Sequence, residues 1–299
     1  MHAVVIHETG PPDVLQYQEI ERPEPGDGEV LIRVRAASVN PTDWKSRRGM
    51  GEDALPAVLG KDVSGTVEVS RTDAFAEGDD VFGMAASGGY AEFATASADV
   101  IARKPAALSH EQAAAIPVAG MTAWQALFDR GGLESGQIAL IAGAAGGVGH
   151  FAVQFAKVTG ARTIGTGSAR NREFVLGLGA DEYVDYTAQD VADVVRDADV
   201  ALDAVGGETT ASLVPAVRPG GILVTIASAP PEDAAGERGV RAELLIMSPD
   251  SDQLARIADL VGAGDVRVEI AEVLPLAEVA RAHELSESGH TRGKIILTV

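Results

Sequence analysis

The chain has 299 residues, enough for two domains that each have a hydrophobic core. Its formal net charge of −20 and its sequence pI near 4.6 argue against binding to nucleic acid or to an anionic membrane. It contains no cysteine, which excludes disulfides and thiolate zinc sites, and no secretory signal pattern, so we expect a cytoplasmic protein.

The N-terminal part of the chain predicts short β-strands. Residues 29–39 alternate clearly, with Val30, Ile32 and Val34 on one face and Arg33 on the other. Further short strands are predicted at residues 4–6, 65–69, 80–82, 90–94 and 100–102. Short strands separated by glycine and charged turns are typical of a small, partly open barrel.

Strands and helices alternate in the rest of the chain. Ser109 is the predicted N-cap of a first helix, which Pro117 interrupts. Strands are predicted at 138–142, 162–166, 182–184, 200–204, 222–227 and 244–247, and helices at 171–177, 191–195 and 252–261. This alternation predicts a doubly wound parallel sheet with helices on both faces. The last segment, 276–299, predicts a helix and a strand that return to the first domain.

A glycine-rich turn follows the apolar strand at 138–142. The turn reads A-x-G-x-x-G, and helical spacing resumes after it; its predicted ligand-binding residues are Ala144, Gly146, Gly147, Val148 and Gly149. Glycines in such a turn allow a sharp bend and a close approach of the backbone to a pyrophosphate, and the helix that follows points free N–H groups at the phosphates. The turn therefore predicts a dinucleotide site.

The end of the second strand of this α/β region indicates which dinucleotide binds. An acid that would bind a ribose 2′-hydroxyl is missing until Glu173, and the segment instead offers Gly167, Ser168, Arg170 and Arg172. A hydroxyl and guanidinium groups would bind a 2′-phosphate, so we expect NADP(H). The alternative is that these arginines are solvated residues at a helix start, where cations oppose the helix dipole.

With these pieces in place, the chain resembles the zinc-independent quinone oxidoreductases of the medium-chain dehydrogenase/reductase superfamily, which are akin to zeta-crystallin. The resemblance covers essentially the whole length. It rests on ASVNPTDWKSRRG (37–49), LGKDVSGTV (59–67), AGMTAWQAL (119–127), AGAAGGVG (142–149), GADEYVDY (179–186), LDAVGG (202–207) and RGKIILTV (292–299). It implies a Rossmann-type NADP-binding domain at 113–270 and a discontinuous GroES-like β-barrel domain at 1–112 and 271–299.

The resemblance also implies roles for single residues. Asn40 would polarise a substrate carbonyl near the nicotinamide. The chain departs from the family two residues after Asp43, where some members have a tyrosine and this chain has Lys45, a candidate proton donor or anion contact. Lys45 could equally pair with Asp43 or be solvated. The other implied cofactor contacts are Met121, Thr122, Tyr186, Ala204, Val205, Gly206, Ala227 and Ser228. Asn40, Lys45 and Thr122 are thus the catalytic candidates, while Thr122 and Tyr186 could also be polar residues with a packing role.

A catalytic metal is not expected. Zinc-dependent relatives carry a cysteine and a His-Glu pair where this chain has Asn40, Lys61 and Asp62. The six histidines show no ligand spacing.

The leading functional hypothesis is NADPH-dependent hydride transfer to a small electrophilic substrate, a quinone or an α,β-unsaturated carbonyl compound such as an alkenal or enone. One alternative is an enoyl or polyketide-type reductase of thioester-bound substrates. Another is an NADPH-binding sensor or structural protein without turnover. Uncovered sheet edges, together with the family resemblance, favour a homodimer.

Overall fold

The computed structural model describes residues 1–51 and 54–299. Its strands are β1 (His2–Ile6), β2 (Gln16–Glu19), β3 (Glu29–Val39), β4 (Ala57–Val58), β5 (Asp62–Ser70), β6 (Asp80–Met84), β7 (Phe93–Ser97), β8 (Ile101–Arg103), β9 (Ile138–Ala142), β10 (Arg162–Gly167), β11 (Glu182–Asp185), β12 (Ala198–Asp203), β13 (Val217–Thr225), β14 (Arg241–Leu244), β15 (Ile270–Pro275) and β16 (Lys294–Thr298). Its helices are α1 (Pro41–Arg47), α2 (His110–Ala114), α3 (Pro117–Trp124), α4 (Gly149–Thr159), α5 (Arg172–Gly177), α6 (Val191–Val194), α7 (Glu208–Leu213), α8 (Glu232–Arg238), α9 (Ser251–Ala263) and α10 (Val279–Glu287), with a π-helical segment at Gln125–Arg130. None of these described helices is long and apolar enough to cross a membrane.

The chain forms two compact units. The first consists of Met1–Met121, Pro249–Gly264 and Val268–Val299, and the second of Thr122–Ser248 and Asp265–Arg267. Residues 113–121 and 249–264 thus pack with the first unit, whereas the sequence predicted them in the second domain. The reason is that α2 packs on β3 and β5, and α9 packs on β8. The functional domain boundaries themselves stay a prediction.

Strand β3 lies at the centre of the first unit. It pairs with β5, β7 and β16 in a sheet of order β15-β16-β3-β5-β6-β8, and a smaller sheet has the order β2-β1-β4. The predicted alternation is confirmed, because Val30, Ile32 and Val34 are buried while Arg33 is exposed. Strand β16 pairs antiparallel with β3, which confirms that the last segment returns to this region.

One predicted strand of this unit is displaced. The sequence favoured a strand at residues 90–94, whereas β7 begins only at Phe93. Tyr90 lies in the connection before it, where its backbone bonds to Leu59 and Val4 and its buried ring fills the space beside Gly60. An aromatic residue favours a strand by its ability to pack, and here the same packing occurs outside a strand.

The second unit contains a six-stranded sheet of order β11-β10-β9-β12-β13-β14 in which every pairing is parallel. This order confirms the predicted doubly wound sheet. The strand order reverses between β9 and β12, and ligands of such sheets bind outside the carboxyl ends of the strands at that point.

The edge strand of this sheet is also displaced from its prediction. The sequence placed it at residues 244–247, but β14 ends at Leu244. Strand β14 is paired with β13 on one side only. Its residues therefore do not form the continuous apolar run by which a buried parallel strand is recognised. The apolar residues that suggested a strand lie beyond it, and Ile246 is 81% exposed.

Candidate functional site

The glycine-rich turn joins β9 to α4 as predicted. Gly143 has φ +73°, and the N–H of Gly146 donates to the carbonyl of Gly143 at 2.9 Å. A Cβ on Gly149 would lie 2.1 Å from the same carbonyl oxygen, so this position accepts only glycine. Ala144, where many such turns have glycine, is buried because its methyl group packs over Gly165, which has no side chain.

The residues of this turn fall into two groups. Gly146, Gly147 and Val148 are half-buried and reach the surface, whereas Ala144 and Gly149 are buried and act through backbone packing. Val148, the N-cap residue of α4, makes no side-chain cap hydrogen bond, and the first turn of α4, which lies within the described residues, carries no acidic residue. The N-terminal N–H groups of an uncapped helix bind phosphate well.

The predicted 2′-phosphate segment follows β10. Arg170 and Arg172 are exposed, and Ser168 is half-buried. The Tyr183 hydroxyl donates to the Ser168 carbonyl at 2.7 Å, and Nη1 of Arg172 donates to the Tyr183 carbonyl at 3.4 Å. A Cβ on Gly167 would lie 2.5 Å from the Tyr183 hydroxyl oxygen, so this glycine makes room for the tyrosine.

Two residues of β11 and its following turn lie next to this segment. Tyr186 is 60% exposed, and its backbone N–H donates to the Gly167 carbonyl at 3.3 Å. Sequence reasoning did not consider Asp185, whose carboxylate accepts hydrogen bonds from the Thr187 hydroxyl at 2.7 Å and from the Thr187 N–H at 3.0 Å. These bonds hold the pKa of Asp185 below its ordinary value.

The loop after β12 is fixed by a buried carboxylate. Asp203 accepts hydrogen bonds from the N–H groups of Val205 and Gly206, at 2.9 and 3.0 Å, and from the Thr210 hydroxyl at 2.5 Å. The Thr210 hydroxyl also bonds to Ser228 at 2.8 Å. These bonds bring together the predicted residues Ala204, Val205, Gly206, Ala227 and Ser228. Asp203 and Thr210 were missed, although an acid that ends an apolar strand before two glycines was a readable signal.

These loops follow strands β9, β10, β12 and β13, and we call them the carboxyl edge. The two predicted cofactor contacts in α3, Met121 and Thr122, are less accessible to solvent than the loops of the carboxyl edge. Met121 is fully buried and Thr122 is 6% exposed, so neither offers a large surface.

The first unit contains a second group of predicted residues. Asn40 is 2% exposed and stands at the N-terminus of α1. Its Nδ2 donates to Asp62 Oδ2 at 2.9 Å, and its Oδ1 accepts a short hydrogen bond from Lys294 Nζ. Asp62 Oδ2 also accepts from the Ser38 hydroxyl at 2.8 Å and lies 3.7 Å from Lys294 Nζ. We call Ser38, Asn40, Asp62 and Lys294 the polar cluster.

Burial governs the charges of this cluster. Loss of hydration raises the pKa of Asp62 and lowers the pKa of Lys294, and the attraction between the two groups opposes both shifts. Such a pair is stable in the core only when its remaining hydrogen-bonding capacity is used. Asp62 satisfies this condition, because its Oδ1 accepts from the Val118 N–H at 3.0 Å.

A chain of hydrogen bonds starts beside the cluster at Asp43. Asp43 Oδ2 accepts from the Asn40 N–H at 2.8 Å and from the Tyr90 hydroxyl at 3.0 Å, and burial raises the pKa of Asp43 to about 7. The Tyr90 hydroxyl lies 3.3 Å from His283 Nε2, and His283 Nδ1 lies 3.4 Å from Arg47 Nη1. Burial and the Arg47 charge lower the pKa of His283 to about 3.

The direction of this chain follows from its two ends. A guanidinium only donates, so neutral His283 accepts on Nδ1 and donates from Nε2 to Tyr90, which donates to Asp43. Arg47 is fully buried and pairs with Glu287. This chain of hydrogen bonds holds α1 against α10.

Lys45 lies apart from this chain. Its Nζ is 5.8 Å from the centroid of the Trp44 ring, and among residues 1–51 and 54–299 it forms no ion pair. A pairing with Asp43, which the sequence left open, is not observed, since the Asp43 carboxylate is bonded to Asn40 and Tyr90 instead. Its role as a proton donor stays a prediction.

The described part of the chain contains no group of three or more His, Asp or Glu side chains placed to hold a metal ion.

Comparison with known families supports the architecture. Residues 26–106 match the family described as alcohol dehydrogenase GroES-like domain, and residues 178–297 match the one described as zinc-binding dehydrogenase. The quinone oxidoreductase of Mus musculus is 33% identical, with 99% of this chain and 97% of the mouse protein covered.

Solved structures agree. The quinone oxidoreductase from Coxiella burnetii has a TM-score of 0.95 and 36% identity, with 100% of this chain and 99% of that chain covered. The Escherichia coli quinone oxidoreductase complexed with NADPH has a TM-score of 0.93 and 27% identity, with 100% of both chains covered. This chain therefore belongs to the medium-chain dehydrogenase/reductase family, among its zinc-independent quinone oxidoreductases.

Proposed function

We propose that this protein is an NADPH-dependent oxidoreductase that reduces quinones or α,β-unsaturated carbonyl compounds without a metal. The observation that carries the proposal is the carboxyl edge, where a glycine turn, an uncapped helix N-terminus and two exposed arginines lie at the ends of neighbouring parallel strands. When bound, NADPH supplies a hydride from nicotinamide C4.

The residues of the carboxyl edge fit this cofactor. Gly146 and Gly147 reach the surface without side chains, so the backbone can approach a pyrophosphate, and the N–H groups at the start of α4 have no competing side-chain cap. Arg170 and Arg172 would bind the 2′-phosphate, with Ser168 beside them. The Asp203 carboxylate holds the Val205–Gly206 backbone in place for the remaining part of the dinucleotide.

The substrate proposal starts from the charge that develops during reduction. When hydride arrives at the conjugated carbon of a quinone or enone, the carbonyl oxygen becomes negative. We assign the stabilising hydrogen bond to the Asn40 amide N–H. A proton from water or from Lys45 then completes the reduction. Quinones and enones are already electrophilic, which reduces the need for a Lewis acid.

Zinc independence is proposed from the side chains present. No thiolate exists in the sequence, and Asp62 is bonded to the Lys294 ammonium, to Asn40 and to Ser38. A cation beside Lys294 would meet electrostatic repulsion.

The test is steady-state oxidation of NADPH, with NADH alongside, against quinones, enones and simple aldehydes, with and without a chelator. We expect turnover of quinones or enones with NADPH preferred. NADPH binding without turnover of any acceptor would replace the proposal with the sensor or thioester hypothesis. Activity on simple aldehydes that the chelator abolishes would contradict zinc independence.

We also propose a cytoplasmic homodimer. Strand β14 is one edge of the parallel sheet. Its last residue, Leu244, is 46% exposed, and Ile246 just beyond it is 81% exposed. An open strand edge with exposed apolar residues favours pairing with a second copy. Light scattering should give twice the 30.8 kDa chain mass for the wild type and a single chain mass for Ile246→Asp.

A further inference from the structure

We propose that Asp62 and Lys294 are positioning residues that fix the orientation of the Asn40 amide, so that an N–H of Asn40, and not its carbonyl, is offered to the substrate oxygen. The functional meaning of this inference rests on the function proposed above. The orientation itself can be tested without any turnover.

Asp62 and Lys294 offer opposite chemistry to the Asn40 amide. An asparagine amide has two ends of nearly equal size and opposite character, an acceptor oxygen and a donor NH2 group. An ionised carboxylate only accepts hydrogen bonds, and an ammonium only donates them. With Nδ2 facing Asp62 at 2.9 Å and Oδ1 facing Lys294, both contacts are favourable. A flipped amide would place oxygen against carboxylate and NH2 against ammonium, so both contacts would become repulsive.

Asp62 and Lys294 cannot easily rearrange. Asp62 is fully buried and is held by the Ser38 hydroxyl at 2.8 Å and by the Val118 N–H at 3.0 Å. Lys294 is 3% exposed, so its ammonium has no access to bulk water as an alternative partner. The carboxylate and the ammonium therefore act as fixed references for the amide.

The Asn40 backbone is fixed as well. Its N–H donates to Asp43 Oδ2 at 2.8 Å, and its carbonyl accepts from the Asp43 N–H at 3.0 Å. Both the main chain and the side chain of Asn40 thus have defined positions. An oxyanion donor must be placed before the reaction if it is to stabilise developing charge without reorganisation.

The Asn40 amide has a second hydrogen besides the one that faces Asp62. Nδ2 of Asn40 carries two hydrogens, and within residues 1–51 and 54–299 its one hydrogen-bond acceptor is Asp62. The other hydrogen is left for a substrate oxygen. The ammonium at Oδ1 draws electron density from the amide and thereby strengthens this N–H as a donor.

A purely structural ion pair is the competing explanation. Buried pairs of this kind often add little stability, but removing one partner leaves an uncompensated charge. That explanation predicts that loss of Lys294 lowers stability without lowering the kcat of the folded protein. The two explanations therefore differ in what they predict for turnover.

The chain is well suited to an NMR test, because Asn40 and Asn171 are its two asparagines. We would label asparagine with 15N and record the two side-chain NH2 signal pairs of the whole protein. In Lys294→Met we expect the Asn40 pair to shift and the Asn171 pair to stay in place. The matched control is Lys157→Met, which removes a half-exposed lysine paired with Asp181 and should move neither pair. An Asn40 pair that is unchanged in Lys294→Met overturns the proposal.

The wild-type spectrum provides a second measurement should Lys294→Met fail to fold. A buried amide bonded to a carboxylate should exchange its hydrogens with solvent at least about tenfold more slowly than the half-buried Asn171. Equal exchange rates of the two pairs would overturn the proposed hydrogen bond to Asp62.

A kinetic cycle tests the functional part. We expect kcat to fall by about 100-fold in Asn40→Ala and by at least about tenfold in Lys294→Met, with Lys294→Arg partly restored. Because Lys294 acts through Asn40, the double variant should be no slower than Asn40→Ala alone. Losses that multiply would contradict the positioning role. If the wild type shows no turnover at all, the proposed function fails, while the NMR result still decides the orientation.

Discussion

The carboxyl edge of the second unit and the polar cluster of the first unit use polar groups in opposite ways. The edge offers backbone N–H groups and exposed arginines at the surface, and short-range sequence around one turn builds most of it. The polar cluster consists of desolvated side chains that residues far apart in sequence bring together, such as Asn40 and Lys294 at a separation of 254 residues. The comparison teaches that a surface site can tolerate loss of one contact, whereas a buried one cannot leave a charge unpaired.

The largest effect on stability should come from breaking the buried chain of hydrogen bonds between Asp43 and Glu287 at Arg47. Arg47→Met removes a guanidinium that is 0% exposed, so His283 loses its Arg47 contact and Glu287 keeps the exposed Arg48 but loses its buried partner. We expect the free energy of unfolding to fall by about 3–5 kcal/mol in urea denaturation. Arg48→Met is the matched control, because Arg48 pairs with the same Glu287 but is 50% exposed, and it should cost less than about 1 kcal/mol. Equal losses in the two variants would contradict the contrast between buried and exposed pairs.

The next effect concerns pH and the buried Asp43 carboxyl. Its pKa in the folded protein, about 7, lies above the ordinary value of 3.8, so the folded state holds a proton that the unfolded chain releases. The contribution of Asp43 to the free energy of unfolding therefore falls as pH rises from about 4 to about 7, by at most about 1.4 kcal/mol per pH unit. Above that range it falls no further.

Asp43→Asn isolates this contribution. The charges that face Asp43, those of Asp62 and Lys294, are present in both proteins, so their effects largely cancel in the difference. The variant should gain stability relative to the wild type as pH rises between about 4 and 7, measured by denaturation at each pH. A difference that does not depend on pH would show that Asp43 is ionised throughout.

A smaller effect should follow from filling the glycine turn. In Gly149→Ala, the new Cβ would lie 2.1 Å from the Gly143 carbonyl oxygen, so the turn must shift. We expect NADPH to bind about 30-fold more weakly by calorimetry, since the N–H groups of the turn no longer converge on the phosphates. Gly236→Ala is the control in the same unit, because its added Cβ meets no other described part of the chain within 4 Å apart from its chain neighbours and its own helix backbone. Unchanged affinity in Gly149→Ala would mean that this turn does not hold the cofactor.

The smallest effect should come from the exposed arginines. Arg170→Ala and Arg172→Ala should each weaken NADPH binding by about tenfold and leave NADH binding unchanged, because only NADPH has a 2′-phosphate. Arg162→Ala, which removes an exposed arginine paired with Glu182, should affect neither cofactor. Should NADPH and NADH lose affinity equally in the two variants, the assignment of the 2′-phosphate segment would be wrong.

The carboxyl edge could largely be predicted from the sequence because its signals are local. The strand, turn and helix at β9 and α4 lie within one short stretch, and the alternation of residues 29–39 gave the bounds of β3 correctly. The residues missed there, Asp203 and Tyr183, act on the backbone of neighbouring loops, which a motif does not describe.

The polar cluster could be predicted only in part. Asn40 was assigned from resemblance, but its pairing with Lys294 depends on β16 lying against β3, and no local pattern encodes that contact. Helix α1 was missed although its signals were present: Asn40 at the N-cap, Pro41 at the first helical position and Asp43 two positions later. The chain of hydrogen bonds from Asp43 to Glu287 was likewise unreadable, because its members come from separate segments.

The burial of Lys294 also has a practical use in protein chemistry. The chain has only five lysines, Lys45, Lys61, Lys104, Lys157 and Lys294, so amine-directed acylation has few targets. Lys294 begins the C-terminal strand and is 3% exposed, and a reagent can reach it only when that strand separates from β3. Mass spectrometry of the acylated C-terminal peptide would therefore report the opening of this strand directly, with Lys157 as an internal measure of reagent dose.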